Sequence, residues 1–107
     1  MKSIERDVGT FTNADKEKLI CILTENLPVL RAQLGLSQED VSKVIGISRQ
    51  TYSSIETMKR KMSWNTFLSL VLFWGCNEST AIMLDGMGVL PPELNDFLSK
   101  NNRREKK

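Results

Sequence analysis

The sequence contains no histidine, and so lacks the side chain most often used as a general base near neutral pH and the commonest protein metal ligand. It has no glycine-rich phosphate loop, no nucleophile elbow and no carboxylate or cysteine cluster at metal spacing. An enzyme is therefore not expected, nor is a cofactor. Long apolar runs are missing as well. The longest, residues 70–74, is far too short to cross a bilayer, and no apolar stretch follows Lys2, Glu5, Arg6 and Asp7 as it would in an export signal. This predicts a cytoplasmic protein with no membrane partner. Only two cysteines are present, Cys21 and Cys76, in apolar neighbourhoods and without the paired spacing of a metal knuckle, which predicts two buried, reduced thiols. What remains, 107 residues with 40% hydrophobic and 26% charged side chains, suffices for one domain with a modest core.

The formal net charge of +2 hides a segregation. Residues 1–30 carry a net charge of minus one and residues 31–61 plus three. Residues 62–99 have no lysine or arginine and sum to minus four, and the last eight residues sum to plus four. A basic middle, an acidic apolar segment and a basic tail suit one face for a polyanion and another for packing or self-association; solvated faces are the plainer reading.

Residues 1–12 have little periodicity and contain Gly9, as an N-terminal arm would. From a cap at Asn13, Leu19, Ile20, Ile22, Leu23, Leu27, Leu30 and Leu34 recur at threes and fours, one buried helical stripe. Pro28 predicts a kink or break near Asn26, with a shorter helix continuing to Gly35. Ser37 with Glu39 and Asp40 caps a second helix whose inner face is Val41, Val44 and Ile45 and whose end is Gly46. Ser48 caps a third helix, through Tyr52 and Ile55 to about Glu56, and Lys59, Arg60 and Lys61 form a loop. Ser63 opens a helix with Trp64, Phe67, Leu68, Val71, Leu72 and Trp74, apolar nearly all round its second half and so expected to be covered on more than one side. Asn77 caps a short helix ended by Gly86, and Pro91 and Pro92 open a last one using Leu94, Phe97 and Leu98. No strand is required. The expected fold is all-α, a compact bundle of about five helices.

Residues 38–55 place two short helices either side of a turn too tight for a strand. In a helix-turn-helix the first helix crosses the second steeply, so the fifth position must be small, the ninth is a glycine in the turn, and the apolar positions close a miniature core. Ser42, Gly46, and the set Val41, Ile45, Ile47, Tyr52 and Ile55 meet those demands together. Side chains at the start of a helix whose amino end enters the major groove reach base edges, and here Ser48, Arg49, Gln50, Ser53 and Ser54 point outward. Arg49 can give two hydrogen bonds to guanine, Gln50 can pair with adenine, and the serines adapt to either.

Residues 31–56, RAQLGLSQEDVSKVIGISRQTYSSIE, with the basic loop through Trp64 and Phe67, resemble the lambda-repressor and Cro-like helix-turn-helix family, also called XRE. The resemblance implies a lambda-repressor-like DNA-binding domain, a recognition helix over 48–56 in the major groove, and a homodimer on a pseudo-palindromic site in double-stranded DNA. It makes Gln38 a phosphate contact, supported by the amides of its helix start, and Arg31 and Glu56 a structural ion pair joining the first and third helices. Lys43, Lys59, Arg60 and Lys61 are the other phosphate candidates. Where the family usually has a glycine after the third helix this chain has Thr57, Met58 or Lys59, so the loop's backbone does not carry over. The match is loose before Pro28 and after Gly75, so neither does the dimer surface.

The resulting division is an arm (1–12), a DNA-binding domain (13–76), a helical extension that could dimerise (77–100) and a basic tail (101–107), with Arg103, Arg104, Lys106 and Lys107 either following the DNA backbone or keeping the chain dispersed. The expected function is a transcriptional repressor. The alternative is an antitoxin-like interaction module whose C-terminal half binds a protein partner. Trp64, Phe67, Phe73 and Trp74 fit packing better than a single-strand stacking platform, since they sit at helical spacing among leucines.

Overall fold

A computed structural model describes residues 12–89. Among them the chain forms five helices and no strand: α1 (Asn13–Leu34), α2 (Gln38–Ile45), α3 (Arg49–Glu56), α4 (Trp64–Gly75) and α5 (Glu78–Met87). The helix expected after Pro91 and Pro92, most of the arm and the basic tail lie outside the described residues.

Each helix begins on a short polar side chain that accepts a hydrogen bond from a free first-turn amide. Ser37 Oγ accepts from Asp40 N at 3.0 Å while Asp40 accepts from Ser37 N at 2.9 Å, a reciprocal box. Ser48, Ser63 and Asn77 cap α3, α4 and α5. At α1 the cap is Thr12, one residue before the expected Asn13, because Asp15 stands where it can complete a second box.

Pro28 does not break α1. The helix runs unbroken through it, although the proline removes one backbone bond at a cost of about 3 kcal/mol. Leu23, Leu27 and Leu30 around it are fully buried, and each such side chain returns roughly 1.5–3 kcal/mol. Packing therefore outweighs the lost bond. Thr24 and Asn26, just before the proline, bond back to the carbonyls of Ile20 and Ile22.

The chain bends by 106° between α1 and α2. Gly46 ends α2 at φ 82°, a left-handed conformation cheap only for glycine, and α3 starts three residues later. Ser42, 2% exposed, sits in α2 with its hydroxyl donated to the carbonyl of Glu39, so no polar hydrogen is stranded in the interior. The core draws on every helix, through Leu23 and Leu27 of α1, Val41 of α2, Tyr52 and Ile55 of α3, Phe67, Leu70 and Trp74 of α4, and Leu84 of α5. Thr80, also buried, donates to the carbonyl of Trp74 and locks α5 onto the end of α4. Helix α5 ends at Gly88 and not at Gly86; the left-handed residue needed to stop it is Gly88, at φ 77°.

Several expected burials do not occur. Val44, assigned to the inner face of α2, is 66% exposed, because Val41 and Ser42 fill the contact that α2 makes. Leu72 of α4 is 71% exposed, so that helix is not covered on all the sides its apolar sequence suggests. Both thiols are exposed and unpaired: Cys21 falls on the solvent side of the α1 stripe, and Cys76 is the first residue beyond α4.

Beyond α3, Met58 adopts φ 66°, the one non-glycine residue with positive φ among those described. This is where the family resemblance leads one to expect glycine. A left-handed residue with a Cβ is strained by about 1–2 kcal/mol, and Met58 is largely exposed, so little packing is lost on replacing it. Met58→Gly is expected to raise stability by about 0.5–1 kcal/mol, after allowing for the greater freedom of glycine in the unfolded chain. A denaturant titration showing a loss instead would place the value of Met58 in its side-chain contacts.

Candidate nucleic-acid interface

Tyr52 and Ile55 turn one side of α3 into the core, which leaves Arg49 and Gln50 exposed and Ser53 and Ser54 half-buried on the other sides. Arg49 and Gln50 stand in the first turn, beside the turn from α2. Ser48 is less free. Its oxygen accepts from Thr51 N at 3.0 Å and its proton goes to Thr51 Oγ1 at 2.9 Å, so one lone pair remains for a base. Thr51, beside it, carries a hydroxyl whose own proton is not used in that exchange, and sequence reasoning passed it over.

What holds α3 in place is a buried carboxylate. Glu56, with a side chain 5% exposed, accepts from Arg31 Nε at 2.8 Å and Nη2 at 2.9 Å, from Gln38 Nε2 at 2.7 Å and from the Tyr52 hydroxyl at 2.9 Å. Arg31 also donates to the carbonyl of Leu36, before α2. One side chain of α3 is thereby tied to α1, to the α1–α2 connection and to the start of α2. Burial alone would raise the Glu56 pKa; the hydrogen bonds from Arg31, Gln38 and Tyr52, with the charge of Arg31, outweigh it and hold the carboxyl below its ordinary value. Burial, and then the neighbouring Glu56 charge, push the Tyr52 phenol well above its usual range, so it remains a donor.

The phosphate candidates separate by partner. Gln38 spends one amide hydrogen on Glu56, which fixes its side chain against α3 at the start of α2. Lys43 lies 3.7 Å from Glu39 on the same exposed face. Lys61 is bonded to Glu17 of α1 at 2.6 Å, a pairing across 44 residues that no local pattern announces. Lys59 and Arg60 carry no ion pair among the described residues, and their amides both donate to the Ser54 carbonyl, which folds the loop against the end of α3. Among the phosphate candidates the unpaired positive charge thus sits at the carboxyl end of α3, while Arg49 stands at its amino end.

Residues 30–63 match a protein family described as helix-turn-helix, a stretch that spans α2, the turn, α3 and the loop behind it. This segment is a helix-turn-helix of the lambda-repressor and Cro-like, or XRE, type. The XRE-type helix-turn-helix is a DNA-binding regulatory domain, and the protein is on that ground a DNA-binding regulator of transcription. No curated protein and no solved structure matched the chain in the same comparisons. Among the described residues no single helix is long and apolar enough to cross a membrane.

Proposed function

We propose that the protein is a sequence-specific repressor that inserts residues 48–56 into the major groove of a pseudo-palindromic operator as a homodimer. The observation that supports this most is the outward side of α3: exposed Arg49 and Gln50 at its amino end, on a helix held to two others through Glu56. A bidentate donor and a carboxamide in rigid positions can read guanine and adenine edges, with Ser48, Ser53 and Ser54 as adaptable neighbours. Gln38, Lys43, Lys59, Arg60 and Lys61 hold the backbone and set the register. A small protein seated on a promoter excludes polymerase with no further machinery, which makes repression the direct consequence of binding.

Titrating the protein into a preferred duplex and into unrelated duplex tests specificity; equal affinity for both would reduce it to a nonspecific binder. Arg60→Gln is expected to flatten the dependence of log affinity on log salt by roughly one unit while leaving sequence preference intact. An unchanged slope would put Arg60 in solvent.

A further inference from the structure

Of the three loop cations behind α3, Lys61 is the one whose charge is already taken up by a carboxylate among the described residues. Its ammonium donates to Glu17 Oε1 at 2.6 Å, and both side chains stay more than half exposed, so solvent and ligands reach the pair. Because the partners are 44 residues apart, the bond exists only where the fold sets the start of α1 beside this loop. Glu17 and Glu25 lie about two helical turns apart on one side of α1, and both line a hollow shared with Arg60 and Lys61. Two carboxylates of α1 thus stand opposite two cations of the loop.

The juxtaposition is held from both sides. Lys16, next to Glu17, places its ammonium 5.3 Å from the ring centroid of Trp64, which stacks on the buried Phe67 with centroids 4.7 Å apart. That contact fastens the start of α1 to the start of α4, just beyond Lys61. On the other side, the amides of Lys59 and Arg60 donate to the Ser54 carbonyl and keep the loop on the end of α3. Lys61 stands between two fixed points, with Glu17 in reach.

We infer that Glu17 is an internal competitor for the DNA backbone: in the free protein it occupies the ammonium of Lys61, and a phosphate must displace it. The inference rests on the reading of Lys61 as a phosphate contact. An ammonium has three protons and can donate to a carboxylate and a phosphate together, but affinity for the backbone follows the charge neutralised, and Glu17 has already neutralised this one. A second anion brought to the same cation is also repelled by the first. Glu17 touches no base edge in this arrangement, so what it sets is the strength of binding and its salt dependence, not sequence preference.

The test is a double-mutant cycle on the full chain, Glu17→Gln against Lys61→Gln, read as binding to preferred and unrelated duplex over a range of salt. Glutamine keeps the size and helix preference of glutamate at this half-exposed position, so helical content should not change. Glu17→Gln is expected to tighten binding to both duplexes by about two- to fivefold and to steepen the dependence of log affinity on log salt by up to roughly one unit. In the Lys61→Gln background the same substitution should gain nothing. An equal gain with and without Lys61 would reduce Glu17 to a general charge effect and overturn the inference. A loss of affinity on Glu17→Gln would overturn it too, by making Glu17 a support that aims Lys61 at the DNA, as would no change at all. Each of those results leaves DNA binding standing. A wild type that prefers no duplex, with the cycle as expected on unrelated duplex, would instead sink the repressor reading and leave the competitor.

Discussion

Arg31→Ala is expected to lower the thermal midpoint by about 10–20 °C, from a loss of about 2–3 kcal/mol. The substitution leaves Glu56 buried with its principal charge partner gone, and Gln38 and Tyr52 supply only neutral donors. A fully enclosed pair would cost more, but the Arg31 side chain retains 22% exposure, and water takes up part of the penalty. Arg31→Lys should fall between, because a single ammonium cannot reach both carboxylate oxygens and the Leu36 carbonyl as the guanidinium does. The pH dependence has a definite sign. Glu56 has a lowered pKa in the folded state, so its contribution to stability is complete above the ordinary glutamate value and disappears as pH falls through the folded value. Arg31→Ala should therefore narrow the gap to wild type in acid. A drop of no more than about 3 °C would reduce the pair to a surface contact.

The second large effect is on recognition. Arg49→Ala and Gln50→Ala are each expected to weaken binding to the preferred duplex by about 10–100-fold, from 1–3 kcal/mol per bidentate pair, with much smaller losses on unrelated duplex. Both side chains are exposed on the first turn of α3, so the thermal midpoint should stay near that of wild type. Competition binding separates the roles: an equal fall on both duplexes would make Arg49 a backbone contact.

Features set by neighbours in the chain were legible before the structure. Ser37, Ser48, Ser63 and Asn77 cap helices because a short oxygen at the right offset is enough, and Gly46 ends α2 because its φ demands glycine. The outward placement of Arg49 and Gln50 follows from helical period once Tyr52 and Ile55 face the core. Features set by distant partners were not legible. The continuity of α1 through Pro28 depends on what buries Leu23, Leu27 and Leu30, and the exposure of Val44 and Leu72 depends on which sides of α2 and α4 find a neighbour. The Lys61–Glu17 bond joins residues with no shared local pattern. Met58 marks the intermediate case, where an absent glycine signalled an unusual loop but the residue taking up the strain could not be chosen from three.

Selecting bound duplexes from a random pool with the full-length chain probes recognition most directly. Two inverted half-sites with centres about 34 Å apart are expected, their base preferences lost with Arg49 and Gln50. Recovery of no consensus, or of one that both substitutions leave unchanged, would contradict the placement of α3 in the major groove.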